Sequence, residues 1–308
     1  MHRRSNPKLH EQNYADLDLP YVPPYDWQSI LDFYRSHSIT GIEHVSETRF
    51  ERLFRIKRTV GAVQVRAGEN CLRVRIAPDE PVIVAEVKRR LRKMFDLDCD
   101  PRTIAASLAR LPLLATLCAR FPGLRLPRGW DPFETAICAI LGQLVSARHR
   151  ATLIGQLVQN YGEQTVDPLS REKARLFPVP LVLANAELSA VKTTQARREA
   201  IRDFSRRLLS GKLSLVDHQE PAALRKALLD TKGIGAWSAE YISLRAVGDT
   251  DAFPRTDLIL KRVLALHPEL DVARVKPWRS YAAMYLWKAF AQTLSKTNQG
   301  AARNELIL

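Results

Sequence analysis

The chain has 308 residues, 46% hydrophobic and 26% charged, with a formal net charge of +14, which is enough for two ordinary domains with their own cores. No stretch approaches the ~18 consecutive apolar residues of a membrane-spanning helix. Cys71, Cys99, Cys118 and Cys138 stand too far apart for a zinc loop or an iron-sulfur loop and read as buried reduced thiols.

In chain order, residues 1–20, "MHRRSNPKLHEQNYADLDLP", lack the apolar core of a signal peptide and carry acids that a transit peptide avoids. A flexible lead-in and a cytoplasmic location are expected. The segment "WQSILDFYRSH" has helical spacing. From about Ser46 to Pro78 the period becomes two: "TVGAVQVR" and "CLRVRIAP" alternate apolar and polar residues across "AGEN", which predicts an antiparallel hairpin in a small sheet. "PVIVAEVKRRLRKMF" returns to helical spacing, with Val84, Val87, Leu91 and Met94 on one face. Residues 21–104 therefore read as an α+β domain.

After Asp100-Pro101 the strand signal fades. "RTIAASLARLPLLATLCARF", "DPFETAICAILGQLVSARHRATLIGQLVQNYG", "QARREAIRDFSRRLLSG", "PAALRKALLDTKGIGAWSAEYISLRAVG", "DLILKRVLAL" and "WRSYAAMYLWKAFAQTL" all carry helical spacing, so residues 105–308 read as an all-α region. The basic residues are spread along both regions, in pairs such as Arg89-Arg90, Arg206-Arg207 and Lys261-Arg262. A polyanion, nucleic acid first, is the partner this distribution favours; an acidic metabolite or a membrane surface fits the charge as well.

Two stretches carry chemistry. In "LLDTKGIGAWSAEY" one helix stops, Gly233-Ile234-Gly235 turn, and a second helix starts at about Ala236. Glycines at 233 and 235 allow positive φ and close backbone approach, Ile234 can pack inward, and the exposed amides with the helix start form a phosphate site. About twenty residues later, "DAFPRTDLILKR" places Asp257 at the start of another helix. Locally this is either an N-cap or a catalytic carboxylate, and the two roles are compatible.

"GIGAWSAEY" followed by "DAFPRTDL" resembles the signature of the helix-hairpin-helix DNA glycosylases. "DPFETAICAILGQLVS", "GLRLP", "FDLDC" and "KPWRSYA" are similar to the 3-methyladenine DNA glycosylase II, or AlkA, branch, in the same order from about Tyr25 to Trp287. The resemblance implies an N-terminal α+β domain of TBP-like topology joined to a helix-hairpin-helix bundle whose two helical subdomains flank the active-site cleft. It implies that Asp257 is catalytic, that Leu144 wedges into the duplex with Gln143 beside it, and that Trp237, Tyr241 and Trp287 line the base pocket. Gly233, Gly235, Ala236 and Ser238 would meet the DNA backbone.

Bifunctional relatives carry a nucleophilic lysine where this chain has Trp237, and no cysteine follows Cys138 to build an iron-sulfur loop. The resemblance therefore implies a monofunctional enzyme that excises alkylated purines (3-methyladenine, 7-methylguanine) from double-stranded DNA and leaves an abasic site. It requires no cofactor, beyond a monovalent cation at the carbonyls of Thr231 and Ile234, and no obligate protein partner or membrane; a monomer is expected. Close relatives carry a second acid before the catalytic one, where this chain has Thr256 preceded by Arg255. Arg279 of "KPWRSYA" is open between a phosphate contact, Asp257 and loop ordering. The rival readings are a damaged-DNA-binding protein without catalysis and a glycosylase for a neutral lesion such as hypoxanthine.

Overall fold

The computed structural model describes residues 13–216 and 220–305. Strands β1 (Ala15–Pro20), β2 (Glu43–Val45), β3 (Arg49–Ile56), β4 (Thr59–Ala67) and β5 (Cys71–Ala77) form one antiparallel sheet in the order β1-β5-β4-β3-β2. The hairpin expected across 67–70 is β4 with β5, pairing Val65 with Val74, and Asn70, at φ 56°, takes the left-handed turn position that asparagine tolerates. Helices α1 (Trp27–His37) and α2 (Pro81–Met94) cover one face of the sheet, burying Ile30, Leu31, Val87 and Leu91 against Phe50, Val65, Leu72 and Ile76.

The expectation of a loose lead-in over residues 1–20 fails for Ala15–Pro20, which is an edge strand paired with β5 from Ala15↔Ile76 to Pro20↔Cys71. Its outward Asp16 receives a two-pronged hydrogen bond from Arg75 at 2.8 Å. The pattern "ADLDLP" alternates in period two, but two acids on the exposed face make it resemble a polar tail. Residues 1–12 of that expected lead-in lie outside the described residues.

The remainder is helical: α3 (Pro101–Leu108), α4 (Pro112–Arg120), α5 (Pro132–Leu141), α6 (Ala147–Tyr161), α7 (Pro180–Asn185), α8 (Gln195–Leu209), α9 (Pro221–Leu229), α10 (Ala236–Ile242), α11 (Leu258–Leu266) and α12 (Arg279–Glu305). A π-turn, Ser243–Val247, continues α10, and a 3-10 turn, Val272–Val275, precedes α12. Proline at N1 starts six of the helices from α2 onward, where the missing N–H costs nothing. The all-α expectation for 105–308 needs one correction, a two-stranded ribbon of β6 (Gln164–Val166) and β7 (Lys173–Arg175); strands of three residues are too short to leave a periodic signal.

The helices bury two cores. One joins α5, α6, α8, α9 and α10 through Ile137, Leu157, Ile201, Phe204, Leu228 and Ile242. The other joins α3, α4, α11 and α12 through Leu108, Leu114, Leu260, Tyr281 and Leu286. Among the described residues no helix is long and apolar enough to cross a membrane.

A buried ion cluster ties the sheet to α5. Arg52 of β3 donates to Glu43 at 2.6 Å and to Glu134 at 2.8 Å, and its guanidinium stacks over Trp130. Burial pushes the Glu134 carboxyl up from 4.5 to about 7, against the pull of Arg52. The folded state thus holds this proton more tightly than the unfolded chain, so the group's contribution to stability is full below about pH 4.5 and is lost as pH rises through about 7. Thermal melts from pH 5 to 8 should show wild type losing stability relative to Glu134→Gln; a constant difference between the two curves would contradict this.

Candidate active site

The site begins with the hairpin. Helix α9 ends at Leu229, Ile234 is buried and its amide donates to the Thr231 carbonyl at 3.1 Å, and α10 starts at Ala236. Gly233 adopts φ 79°, and a Cβ there would lie 2.6 Å from the Cβ of Ala200, so both the turn and the contact with α8 require glycine. Gly235 differs from expectation: its φ of −92° suits any residue, and a Cβ would meet nothing within 4 Å. Gly233, Gly235 and Ala236 are exposed, and no side chain caps the amides of the first α10 turn.

Gln143 and Ser238, both expected at the DNA, are bonded to each other at the hairpin. Gln143 donates its amide to the Gly233 carbonyl at 3.0 Å and to the Ser238 hydroxyl at 2.7 Å, and Ser238 is 3% exposed. Together they form a strut between the hairpin and the α5–α6 loop. Arg197 of α8 adds a second strut, donating to the Gln143 carbonyl at 2.6 Å. The next residue, Leu144, is held at φ 54° with its side chain fully exposed (103%). A leucine in a left-handed conformation and in water is an uncommon combination.

Asp257 is the N-cap of α11, and its Oδ1 accepts from the amides of Ile259 and Leu260 at 3.0 and 3.2 Å. Oδ1 also accepts from the Trp287 indole at 3.0 Å, and Oδ2 accepts from the Trp237 indole at 3.1 Å. Oδ1 is saturated by three donors; Oδ2, with one, keeps acceptor capacity. Two indoles and a helix start thus hold the carboxylate half-buried and directed into a cleft of about 740 Å³. Trp237 stacks on Tyr241 with ring centroids 4.9 Å apart and planes at 15°. The expected aromatic residues and Asp257 therefore meet in one cleft, between the two helical cores.

Arg255 is exposed and makes no ion pair with Asp257. Arg279 binds Asp251 through two contacts of 2.7 Å, which assigns it to ordering the loop before Asp257.

Several residues of the cleft were not foreseen. Phe33 and His37 reach it from α1, stacked 4.2 Å apart, and burial holds the His37 imidazole down at about 3, so it is neutral at working pH. Met284 and Arg245 line it from α12 and from the π-turn. Only the last carried a visible signal, a lone arginine inside the apolar run "ISLRAV".

The fold is that of the helix-hairpin-helix glycosylases. The structure is similar to that of 3-methyladenine DNA glycosylase from Archaeoglobus fulgidus, with a TM-score of 0.74 and 20% identity over 88% of this chain and 96% of that one. An 8-oxoguanine glycosylase/lyase from Clostridium acetobutylicum, in complex with double-stranded DNA, gives a TM-score of 0.67 at 19% identity over 87% and 92%. The family model described as the AlkA N-terminal domain matches residues 16–131. In sequence the chain is 31% identical to DNA-3-methyladenine glycosylase 2 of Escherichia coli (strain K12), over 87% of this chain and 95% of that protein. It is 30% identical to a probable bifunctional transcriptional activator/DNA repair enzyme AlkA of Mycobacterium tuberculosis, over 89% of this chain and 56% of that protein. The chain belongs to the DNA-3-methyladenine glycosylase 2 family.

Proposed function

We propose that this protein is a monofunctional DNA glycosylase of base excision repair, hydrolysing the N-glycosidic bond of alkylated purines in duplex DNA. The observation that carries the reading is Asp257, fixed by two indole donors in an aromatic cleft beside the hairpin. As the bond breaks, the sugar gains oxocarbenium character; the carboxylate stabilises that charge, and Oδ2 orients the attacking water and accepts its proton. The flipped base enters the aromatic cleft, where an alkylated purine cation gains about 0.5 to 2 kcal/mol from the ring faces. Leu144 fills the gap it leaves, and the exposed amides of Gly233, Gly235 and Ala236 receive a phosphate.

A monovalent cation at the carbonyls of Thr231 and Ile234 belongs to the same reading. The Thr231 oxygen already accepts the Ile234 amide, which leaves it one lone pair for an ion. The enzyme acts as a cytoplasmic monomer, with residues 15–104, which include the edge strand β1, and residues 105–308 as its two units and no other cofactor.

Trp237 stands where a lyase would need an amine. Its indole donates to Asp257 and cannot attack a sugar carbon, so base release should leave an intact strand with an abasic site. The test is release of 3-methyladenine, 7-methylguanine and hypoxanthine from damaged duplex, with strand breaks scored before and after alkali. Breaks only after alkali are expected. Breaks without alkali would refute the monofunctional assignment, and tight DNA binding without release of any base would favour a non-catalytic damage-binding protein.

A further inference from the structure

The cleft contains a cation that the reaction described above does not use. Arg245 lies in the π-turn after α10, a local widening of the helix that is often found at functional sites. Its side chain is 4% exposed, and its guanidinium lies over Phe33 (4.4 Å), Trp287 (5.5 Å) and Tyr241 (5.7 Å). These are rings of the same cleft that holds Asp257. One terminal nitrogen donates to the Pro127 carbonyl at 2.7 Å and the other to the Met284 sulfur at 3.1 Å, the neutral Tyr241 phenol also interacts with the guanidinium, and the buried Nε has no partner. Among the described residues Arg245 makes no ion pair, and the titratable groups acting on it are the phenols Tyr241 and Tyr34. Lys288, also on the cleft, stands 3.8 Å from Asp32. Arg150 shares the cleft but is partly exposed. Arg245 thus brings an uncompensated charge beneath the aromatic cage, at the cost of its own desolvation.

On the glycosylase reading, we propose that Arg245 is an electrostatic specificity determinant acting on the leaving base, opposed to Asp257 at the sugar. Cleavage of the bond between C1′ and the base nitrogen moves the electron pair onto the base. The water oxygen then bonds to C1′ and gives up a proton. A cationic 7-methylguanine leaves neutral, whereas a neutral hypoxanthine leaves as an anion that takes a proton afterwards. In both cases the base gains one negative charge, in the direction the Arg245–Asp257 pair favours. The difference lies in the bound ground state. Arg245 repels a cationic base before the reaction and has little interaction with the neutral product, so it raises kcat and KM together. It is indifferent to a neutral base on binding and attracts the developing anion, so it raises kcat alone.

The test is single-turnover release of 7-methylguanine and of hypoxanthine by wild type and by Arg245→Met, which keeps length and removes charge. At an effective dielectric constant of about 20, a charge about 7 Å away is worth roughly tenfold to fiftyfold in rate. For hypoxanthine, kcat/KM should fall by that factor with KM unchanged. For 7-methylguanine, kcat and KM should fall together, leaving kcat/KM within about threefold. Arg245→Lys should restore the wild-type pattern. If Arg245→Met does not fold, Met284→Glu places a carboxylate against the guanidinium and should give the same split. A parallel loss of kcat/KM on both bases, or no change on either, would overturn the proposal and leave Arg245 a packing residue. Failure of wild type to release either base is a separate result, since it removes the glycosylase reading itself.

Discussion

Asp257→Asn should lower the single-turnover rate of base release from methylated duplex DNA by on the order of a thousandfold and leave DNA affinity within about threefold. Asparagine and aspartate are about equally good N-caps, so the bonds from the Ile259 and Leu260 amides to Oδ1 can persist. The backbone that positions the residue is retained. On the proposed mechanism, what disappears is the negative charge facing the sugar and the acceptor that orients water. The carboxamide also presents N–H to the Trp237 indole, which now donates to Oδ2 at 3.1 Å, and an unpaired donor there costs about 1 kcal/mol or more. Asp257→Ala should lose activity similarly and add the loss of the cap, about 1 kcal/mol. Equal activity losses with unequal melting temperatures would separate the catalytic from the capping role. Retention of a tenth or more of the wild-type rate in Asp257→Asn, with DNA binding intact, would show that the carboxylate does not carry the chemistry.

Asp257 was readable because it stands at a local event, a polar residue ahead of an apolar helical run, at a fixed distance beyond a Gly-Ile-Gly turn. The β4–β5 hairpin, α1 and α2 were readable for the same reason, since each buries one face and so repeats apolar residues at the period of its own geometry. The strand β1 was not, because an edge strand with Asp16 and Asp18 outward offers only two or three inward apolar residues over its short length. The bond between Gln143 and Ser238 was not readable, because it joins a loop and a helix about ninety residues apart, a pairing that no local pattern records. Phe33 and His37 were invisible as cleft residues for a stronger reason. They sit on the helix that covers the sheet, and only the tertiary placement of that helix, packed on α6 and facing α10 and α12 across the cleft, carries them to the site. The N-terminal region is therefore part of the wall of the site as well as an appendage to it, and its attachment through Arg52, Glu43 and Glu134 bears on cleft shape.

Leu144→Ala should reduce the single-turnover rate on a lesion in a normal pair by about tenfold to a hundredfold while leaving the melting temperature nearly unchanged. The side chain is fully exposed, so its removal opens no cavity, and Ala at φ 54° is no worse accommodated than Leu. Loss of function without loss of stability is the mark of a group that meets its partner only in the complex. On the proposed function that partner is the gap left in the stack when the base leaves, and a wedge contributes most where unstacking and unpairing cost most. The defect should shrink when the same lesion is placed in a mismatch and become small in single-stranded DNA. Arg197 supplies a control from the other side: Arg197→Ala removes the 2.6 Å bond to the Gln143 carbonyl but leaves the leucine, so it should give a milder defect with the same dependence on pairing. An equal defect on paired, mismatched and single-stranded substrates would mean that Leu144 contributes general DNA affinity instead of supporting the flipped state. The pairing dependence separates these cases because only the wedge role is coupled to the free energy of opening the duplex.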